Sequence, residues 1–198
     1  MTTPLDTELL GRLAPVGYYI ALRVGFAFPL EEYNHLPKAW VDIYTSERLI
    51  LDDPAIRWAY SNEGAARWSA LEDPQGVFVK ARRLRLRYGA VAAATDSSGA
   101  RSYGLYLRED REFSDRELGV VVEMLEALHS EAAPPSNLTQ AEIEVLRMVK
   151  NGYRLKQIAH ALGVTEGAIK QRLKNARTKL GANTATQAAT LAAGFGLI

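Results

Sequence analysis

The side chains with the clearest chemical potential form a basic cluster between positions 170 and 179. Five cationic residues fall within these ten positions: Lys170, Arg172, Lys174, Arg177 and Lys179. Gln171 and Asn175 are interleaved among them. Lysine and arginine neutralise phosphates and reach guanine, whereas glutamine and asparagine hydrogen-bond adenine. The cluster therefore suits a helix in the major groove of DNA, although most charge runs are simply solvated faces.

The segment 155–180 predicts the two helices that would position this cluster. The first helix ends before Gly163, which suits a turn with positive φ. Thr165 is a favourable N-cap for the second helix, because its hydroxyl can accept an unpaired backbone N–H. Ala159 is small where the two helices would cross, and Ile169 is apolar where the second helix must be buried. A helix-turn-helix built in this way favours DNA binding over a merely charged surface.

The charge is distributed unevenly along the chain. From Asn137 onward there are nine lysines and arginines against three acids, a net charge of +6, and the remainder carries −5. A basic C-terminal part on an acidic body is expected of a DNA-binding module fused to another domain. A length of 198 residues with 47% hydrophobic residues allows one large or two modest globular domains.

Several functional classes are disfavoured by composition. The chain has no cysteine, which excludes disulfides, a thiol nucleophile and a cysteine-based metal site. It has no apolar run of membrane-spanning length and no signal-peptide pattern at its start. We therefore expect a cytoplasmic protein without a metal or cofactor and without a membrane partner.

Residue patterns in the first two thirds of the chain predict both helices and strands. Helices are expected over residues 5–14, 37–46, 54–60 (ended by Gly64), 77–88 and 114–129. Strands are expected at 18–24 and in a β-hairpin of 90–95 and 101–107 around the turn Asp96-Ser97-Ser98-Gly99, while 26–36 reads as a loop. These elements predict an α+β chain whose N-terminal part is an α/β/α sandwich, an antiparallel sheet with helices on both faces. A small all-α four-helix domain containing the helix-turn-helix would follow it.

A proline-containing segment divides these two parts. Pro134 and Pro135 stop the preceding helix and hold the segment extended. Thr139 and Glu142 then form a capping box that opens the next helix. We therefore assign residues 1–130 to the first domain, 131–137 to a linker and 138–198 to the helix-turn-helix domain.

From position 138 onward the sequence resembles the DNA-binding domain of LuxR-type transcription regulators. The residues that carry the resemblance are Leu138, Thr139, Glu142, Val145, Leu146, Gly152, Ile158, Ala159, Leu162, Lys179 and Leu180. By the matching positions of related recognition helices, Lys170, Gln171 and Lys174 would contact base edges. Arg172, Arg177 and Lys156 would contact phosphates.

Four positions of the first domain stand out by residue type and spacing: Trp40, Tyr44, Asp53 followed by Pro54, and Trp68. Their spacing resembles that of the autoinducer-binding domain of the same regulators. Taken singly, these residues would be core aromatics and a turn or N-cap aspartate. The resemblance implies that they bind an N-acyl homoserine lactone, or a related small apolar ligand.

In that ligand site, the Trp40 indole N–H would donate to the lactone carbonyl and Asp53 would accept the amide N–H. Tyr44 and Trp68 would wall the pocket. Leu36, Ile56 and Trp58 are further lining candidates.

The resemblance predicts a ligand-responsive transcription regulator that binds a partly palindromic operator on double-stranded DNA as a homodimer. Two departures from the family pattern leave a second hypothesis open. Leu36 stands where the family usually has a tyrosine that binds the acyl carbonyl, and Ala93 stands where it usually has a glycine. The alternative is therefore a ligand-independent regulator that pairs with a related protein and modulates it. An enzyme is disfavoured, because the chain has no G-x-S-x-G or H-E-x-x-H motif and its three histidines lie far apart.

Overall fold

A computed structural model describes residues 5–25, 28–97, 99–135 and 137–198. The chain forms two compact units, Met1–Ala132 and Ala133–Ile198. Parts of the predicted segments 26–36, 96–99 and 131–137 lie outside the described residues, namely positions 26, 27, 98 and 136. Among the described residues, every helix is too short or too polar to span a lipid bilayer.

The first unit is built on a five-stranded antiparallel sheet. Its strands are β1 (Gly17–Val24), β2 (Pro29–Asn34), β3 (Gly64–Arg67), β4 (Tyr88–Thr95) and β5 (Arg101–Arg108). They lie in the order β2-β1-β5-β4-β3. The predicted hairpin is β4 and β5, which pair from Tyr88 opposite Arg108 to Thr95 opposite Arg101.

Helices cover the two faces of this sheet. Those of the described chain are α1 (Thr7–Leu13), α2 (Lys38–Ser46), α3 (Pro54–Ser61), α4 (Val77–Arg82) and α5 (Asp115–Glu131). Because side chains alternate along a strand, Ile20 and Leu22 of β1 pack with α1 and α5, whereas Ala21 belongs to a second core with α2, α3 and α4. The predicted α/β/α sandwich is confirmed.

Two edge strands correct the sequence-based assignment. Segment 26–36 was expected to be a loop, but β2 occupies Pro29–Asn34 and pairs with β1. Pro29 is tolerated because it is the first residue of an edge strand, where its missing N–H breaks no central ladder. Gly64 was expected to end a helix, but α3 ends at Ser61 and Gly64 begins β3, which pairs with β4.

The helix predicted over 77–88 is also too long. α4 ends at Arg82, and Arg85 adopts the left-handed region with φ of 66°. The Leu86 N–H then donates to the Ala81 carbonyl at 3.2 Å, a Schellman-type ending that normally uses glycine. Because an arginine occupies that position, no residue type marked the end of the helix. The residues after the turn lead directly into β4.

The described part of the second unit folds into α6 (Gln140–Lys150), α7 (Leu155–Ala161), α8 (Glu166–Leu180) and α9 (Ala185–Gly194). The predicted capping box opens α6, since Thr139 Oγ1 accepts the Glu142 N–H at 3.3 Å and Glu142 accepts the Thr139 N–H at 2.8 Å. Buried residues from these helices, among them Leu146, Ile158, Ile169 and Ala188, form one core.

Candidate ligand pocket and DNA-binding helix

A cavity of about 190 Å³ lies between the sheet of the first unit and the helices on one of its faces. Six residues singled out from the sequence line it: Leu36, Trp40, Tyr44, Asp53, Ile56 and Trp68. Trp58, the remaining candidate, does not line the cavity and packs at the edge of the adjacent core instead. The cavity therefore collects residues that are spread over more than thirty positions of sequence, from Leu36 to the 3₁₀ turn Trp68–Ala70.

Asp53 is a buried acidic group of this cavity, with 3% of its surface exposed. Its Oδ1 accepts the Ala55 N–H at 2.8 Å and thereby caps α3, while its Oδ2 accepts the Tyr44 hydroxyl at 2.8 Å. Burial raises the pKa of Asp53 above its ordinary value, and the hydrogen bonds from Tyr44 and from backbone N–H groups oppose that rise. Each carboxylate oxygen keeps acceptor capacity, so a ligand N–H could still bind.

The two predicted tryptophans occupy different structural settings. Trp40 is 4% exposed and meets Tyr44, one turn later on α2, in an edge-to-face contact with ring centroids 5.4 Å apart. Trp68 stacks on Phe78 of α4 with centroids 4.3 Å apart. The Trp68 ring also lies against Gly89 of β4, where a Cβ atom would come within 2.2 Å of the indole. Gly89 therefore provides the space that Trp68 needs.

The sheet-side wall of the cavity was not identified from the sequence. It consists of Tyr19 on β1, Asn34 at the end of β2, and Tyr103, Leu105 and Leu107 on β5. These residues share one face of adjacent strands, since Tyr19 pairs with Leu105. The only available signal was the alternation of side chains along β1 and β5, which shows which residues share a face. It does not show which face of the sheet borders a cavity.

In the second unit, α7 and α8 form the predicted helix-turn-helix. Gly163 has φ of 64°, in the left-handed region expected from the sequence. Thr165 Oγ1 accepts the Ala168 N–H at 3.2 Å and caps α8. Ala159 and Ile169 are buried in the core between the helices. The local sequence signals thus produce the expected turn and cap.

The basic side chains of α8 differ in their surroundings. Lys170, Gln171 and Lys174 are exposed, as is Lys156 on α7, and Gln171 donates to Asn175 at 2.8 Å. Arg172 and Arg177 are half-buried, and Arg172 lines a shallow groove with Glu144 and Arg147 of α6.

Lys179 is the exception within the basic cluster. Its Nζ donates to both carboxylate oxygens of Glu142, at 2.7 and 3.0 Å, and to the Asn137 carbonyl at 2.8 Å. Glu142 is itself 4% exposed, and the hydrogen bonds and charge of Lys179 contribute to a lowered pKa for Glu142 despite the opposing effect of burial. Lys179 therefore joins α8 to α6, and the exposed cationic surface is smaller than the sequence indicated.

The chain combines an α/β/α unit that contains a cavity with a basic helix-turn-helix that follows it in sequence. This combination is typical of one class of protein, the DNA-binding transcription regulators. Residues 28–133 match the family model of the autoinducer binding domain, and residues 136–192 match that of the bacterial regulatory proteins of the luxR family. The chain therefore belongs to the LuxR-type family of quorum-sensing transcription regulators.

Individual relatives are similar in sequence over both parts of the chain. The transcriptional activator protein AnoR of Acinetobacter nosocomialis is 26% identical over 183 residues, which cover 83% of this chain and 77% of AnoR. The regulatory protein SdiA of Escherichia coli strain K12 is 25% identical over 185 residues, which cover 84% of this chain and 75% of SdiA. A crystal structure of Escherichia coli SdiA has a TM-score of 0.51, with 25% identity and coverage of 98% of this chain and 88% of that chain.

Proposed function

We propose that the first unit binds an N-acyl homoserine lactone in its cavity and that the protein, as a homodimer, presents two α8 helices to a partly palindromic operator. In this proposal residues 1–130 sense the ligand and dimerise, 131–137 link the two parts, and 138–198 bind DNA. The carrying observation is that Trp40, Tyr44, Asp53 and Trp68 line one cavity with a buried carboxylate in its wall.

The chemistry of the cavity fits the two ends of such a ligand. The Trp40 indole N–H would donate to the lactone carbonyl, and Asp53 would accept the amide N–H. Tyr44 and Trp68 would enclose the lactone, while Leu36 and Ile56 add apolar surface for the remainder. A mostly apolar cavity with a few placed polar groups is the usual form of a small-molecule site.

Thermal unfolding of the full chain with butanoyl-, hexanoyl-, octanoyl- and decanoyl-homoserine lactone tests ligand binding. A ligand that binds only the folded state stabilises it by about 2.7 kcal/mol at a hundred times its Kd. We expect a saturable rise of the unfolding midpoint with at least one chain length. Trp40→Phe, which removes the indole donor, should reduce that rise.

A flat response to all four lactones, from a folded and dimeric protein, would contradict the proposal. It would favour the alternative function, a ligand-independent regulator that pairs with a related protein. Leu36 in the cavity wall supports that alternative, because it supplies no hydroxyl to an acyl carbonyl. The open cavity and the buried Asp53 favour the lactone.

For DNA recognition, we propose that Lys170, Gln171 and Lys174 contact base edges and that Arg172, Arg177 and Lys156 contact phosphates, with Thr165 capping α8. The exposure of Lys170, Gln171 and Lys174 on one helix supports this assignment.

An operator selected from random DNA with the purified protein provides the probe for these contacts. Lys174→Ala should weaken operator binding by about 1–3 kcal/mol, the usual value of a base contact. Lys150→Ala is the control. It also removes one positive charge, from the exposed end of α6, and should leave the preference for the operator over random DNA unchanged. Operator affinity of Lys174→Ala equal to that of the wild type would exclude the role assigned to Lys174.

A further inference from the structure

An acyl-homoserine lactone carries one polar group that the assignments above leave without a partner, namely its acyl carbonyl. Leu36, at the position where a hydroxyl would be expected, has no donor. A carbonyl that loses water on entering a closed pocket without gaining a hydrogen bond weakens binding. The described wall of the cavity must therefore supply another donor if this ligand is to bind well. The Trp68 indole N–H is one candidate, because it is buried without a hydrogen-bond partner among the described residues, and the tyrosine hydroxyls of the wall are the others.

Two of the three tyrosine hydroxyls in that described wall have already committed their protons. Tyr44 donates to Asp53 at 2.8 Å, and Tyr19 donates to Glu32 at 3.0 Å. A hydroxyl has a single proton, and an ionised carboxylate only accepts. The oxygens of Tyr44 and Tyr19 can therefore accept further hydrogen bonds, but they cannot donate to a ligand carbonyl without breaking these pairs.

Tyr103 is the third tyrosine of the wall, and it is 6% exposed. It projects from β5, where its direct partner on β1 is the small residue Ala21. Its ring centroid is 6.0 Å from those of both Tyr19 and Tyr60. Burial, followed by the neighbouring Tyr19 and Tyr60 and the charge of Asp53, raises the pKa of Tyr103, so its hydroxyl keeps its proton.

The Tyr103 hydroxyl is also free to change its acceptor. It interacts with the Tyr19 hydroxyl, which already has Glu32 as its own acceptor. A Tyr103 proton that points towards a ligand therefore leaves no other donor unpaired, because the Tyr19 hydroxyl keeps Glu32 as its acceptor.

We propose that Tyr103 donates a hydrogen bond to the acyl carbonyl of the ligand from the sheet side of the cavity and so replaces the hydroxyl that Leu36 lacks. This inference rests on the proposed function, since it assumes a lactone in the same cavity. It makes Tyr103 a specificity-determining residue and turns the acyl carbonyl of the bound ligand towards β5.

The test compares two tyrosines of the same strand. Tyr103→Phe removes one hydroxyl from the cavity, whereas Tyr106→Phe removes one from the opposite face, where Tyr106 is fully buried and its hydroxyl has no hydrogen-bond partner among the described residues. The Kd values of N-hexanoyl- and N-octanoyl-homoserine lactone are measured by titration calorimetry with the full chain. We expect Tyr103→Phe to bind about 3- to 10-fold more weakly and Tyr106→Phe to match the wild type.

A rescue variant separates a lost hydrogen bond from altered packing. Leu36→Tyr combined with Tyr103→Phe restores a hydroxyl from the other wall, and we expect its Kd to return towards that of the wild type. If the double variant binds no more tightly than Tyr103→Phe, the Tyr103 hydroxyl does not take the place of a hydroxyl at position 36, and the proposal is wrong.

The remaining outcomes distinguish the two proposals. If the wild type binds the lactones and Tyr103→Phe binds them equally well, the role of Tyr103 is wrong while the proposed function stands. Equal weakening by Tyr103→Phe and Tyr106→Phe would also overturn that role, because it would reflect a general change in the sheet. If the wild type binds neither these two lactones nor the butanoyl and decanoyl homologues, both proposals fail together.

Discussion

Among single residues, Asp53 shows how a binding group is maintained at a cost to stability. Its carboxylate is buried, and its hydrogen bonds to Tyr44 and the Ala55 N–H offset only part of the lost solvation. Because the folded-state pKa is raised, the stabilising contribution of this group is present when it is protonated and is lost as pH rises through that pKa. At neutral pH, Asp53 therefore opposes folding of the ligand-free protein.

Asp53→Asn should separate stability from ligand binding. Asparagine caps a helix about as well as aspartate and carries no charge, so the ligand-free variant should unfold at the wild-type midpoint or above it. Each kcal/mol gained corresponds to a rise of about 2–4 °C in a protein of this size. The lactone-induced rise in midpoint should be lost. When the Asn oxygen caps α3, its NH2 group faces the ligand amide, and two N–H donors cannot form a hydrogen bond with each other.

The same scans with Asp53→Ala provide the control, since alanine removes both the charge and the cap. A ligand-free midpoint for Asp53→Asn several degrees below the wild type would show that the carboxylate stabilises the fold and that this account of Asp53 is incorrect.

Two lysines of the same helix, Lys174 and Lys179, differ in exposure and ion pairing because their surroundings differ. In the sequence, Lys174 and Lys179 are equivalent members of one basic cluster. In the structure, Lys174 is exposed while Lys179 is bound to the buried Glu142. An ion pair of this kind requires both partners, because removing one leaves a buried charge unpaired.

Among the helices and strands, the position of Trp68 depends on a neighbouring strand. Trp68 lies between Phe78 on α4 and Gly89 on β4, and a Cβ atom on Gly89 would overlap its ring. The 3₁₀ turn, the helix and the strand thus fix one wall of the cavity together.

Gly89→Ala should displace Trp68 and destabilise the first unit by about 1–3 kcal/mol, the usual cost of overpacking. Gly119→Ala is the matched control, because Gly119 lies in α5 and a Cβ atom added there would meet nothing within 4 Å. That control should stabilise the helix by about 0.5–1 kcal/mol. Urea unfolding followed by tryptophan fluorescence measures both, since all three tryptophans lie in the first unit.

Equal stability of Gly89→Ala and the wild type would mean that Trp68 relocates without cost. In that case its stacking on Phe78 would not define the cavity wall.

Across the whole first unit, a buried polar network joins the sheet to α5. The Arg23 guanidinium donates to Asp96 at 2.7 Å, and the Arg23 N–H donates to Ser102 Oγ at 2.8 Å. Ser102 Oγ lies 2.7 Å from His129 Nδ1 near the end of α5. The contact between Ser102 of β5 and α5 therefore depends on the protonation state of His129.

The contribution of His129 to the stability of this unit should fall as the medium becomes acidic. Burial, followed by the positive charge of Arg23, lowers the pKa of His129, so the unfolded state binds the proton more readily. The contribution of neutral His129 is present above its unfolded pKa of about 6.5 and is lost as pH falls from there through the folded pKa. Urea midpoints at pH 7.5 and 5.5 should therefore differ less in His129→Gln than in the wild type.

His160→Gln serves as the control for this pH dependence, because His160 is exposed on α7 in the second unit. Fluorescence midpoints that shift by the same amount in His129→Gln and the wild type would assign the acid sensitivity to other groups.

Elements whose signals are local could be predicted from the amino-acid sequence alone. The capping box at Thr139–Glu142, the turn at Gly163 and the hairpin around Asp96 depend on residues within a few positions of each other. Spacing and family resemblance also selected the helix-side residues of the cavity, such as Trp40 and Asp53.

Features that depend on distant partners became apparent only in the folded chain. β2 and β3 are strands because β1 and β4 offer them free edges, and their own proline- and alanine-containing sequences carry little strand preference. Tyr19 and Tyr103 became one wall of the cavity through the pairing of β1 with β5, and Lys179 left the basic surface because Glu142 is buried beside it. The pairing of strands that are distant in sequence and the burial of a charge depend on segments far apart in the chain, so no local pattern encodes them.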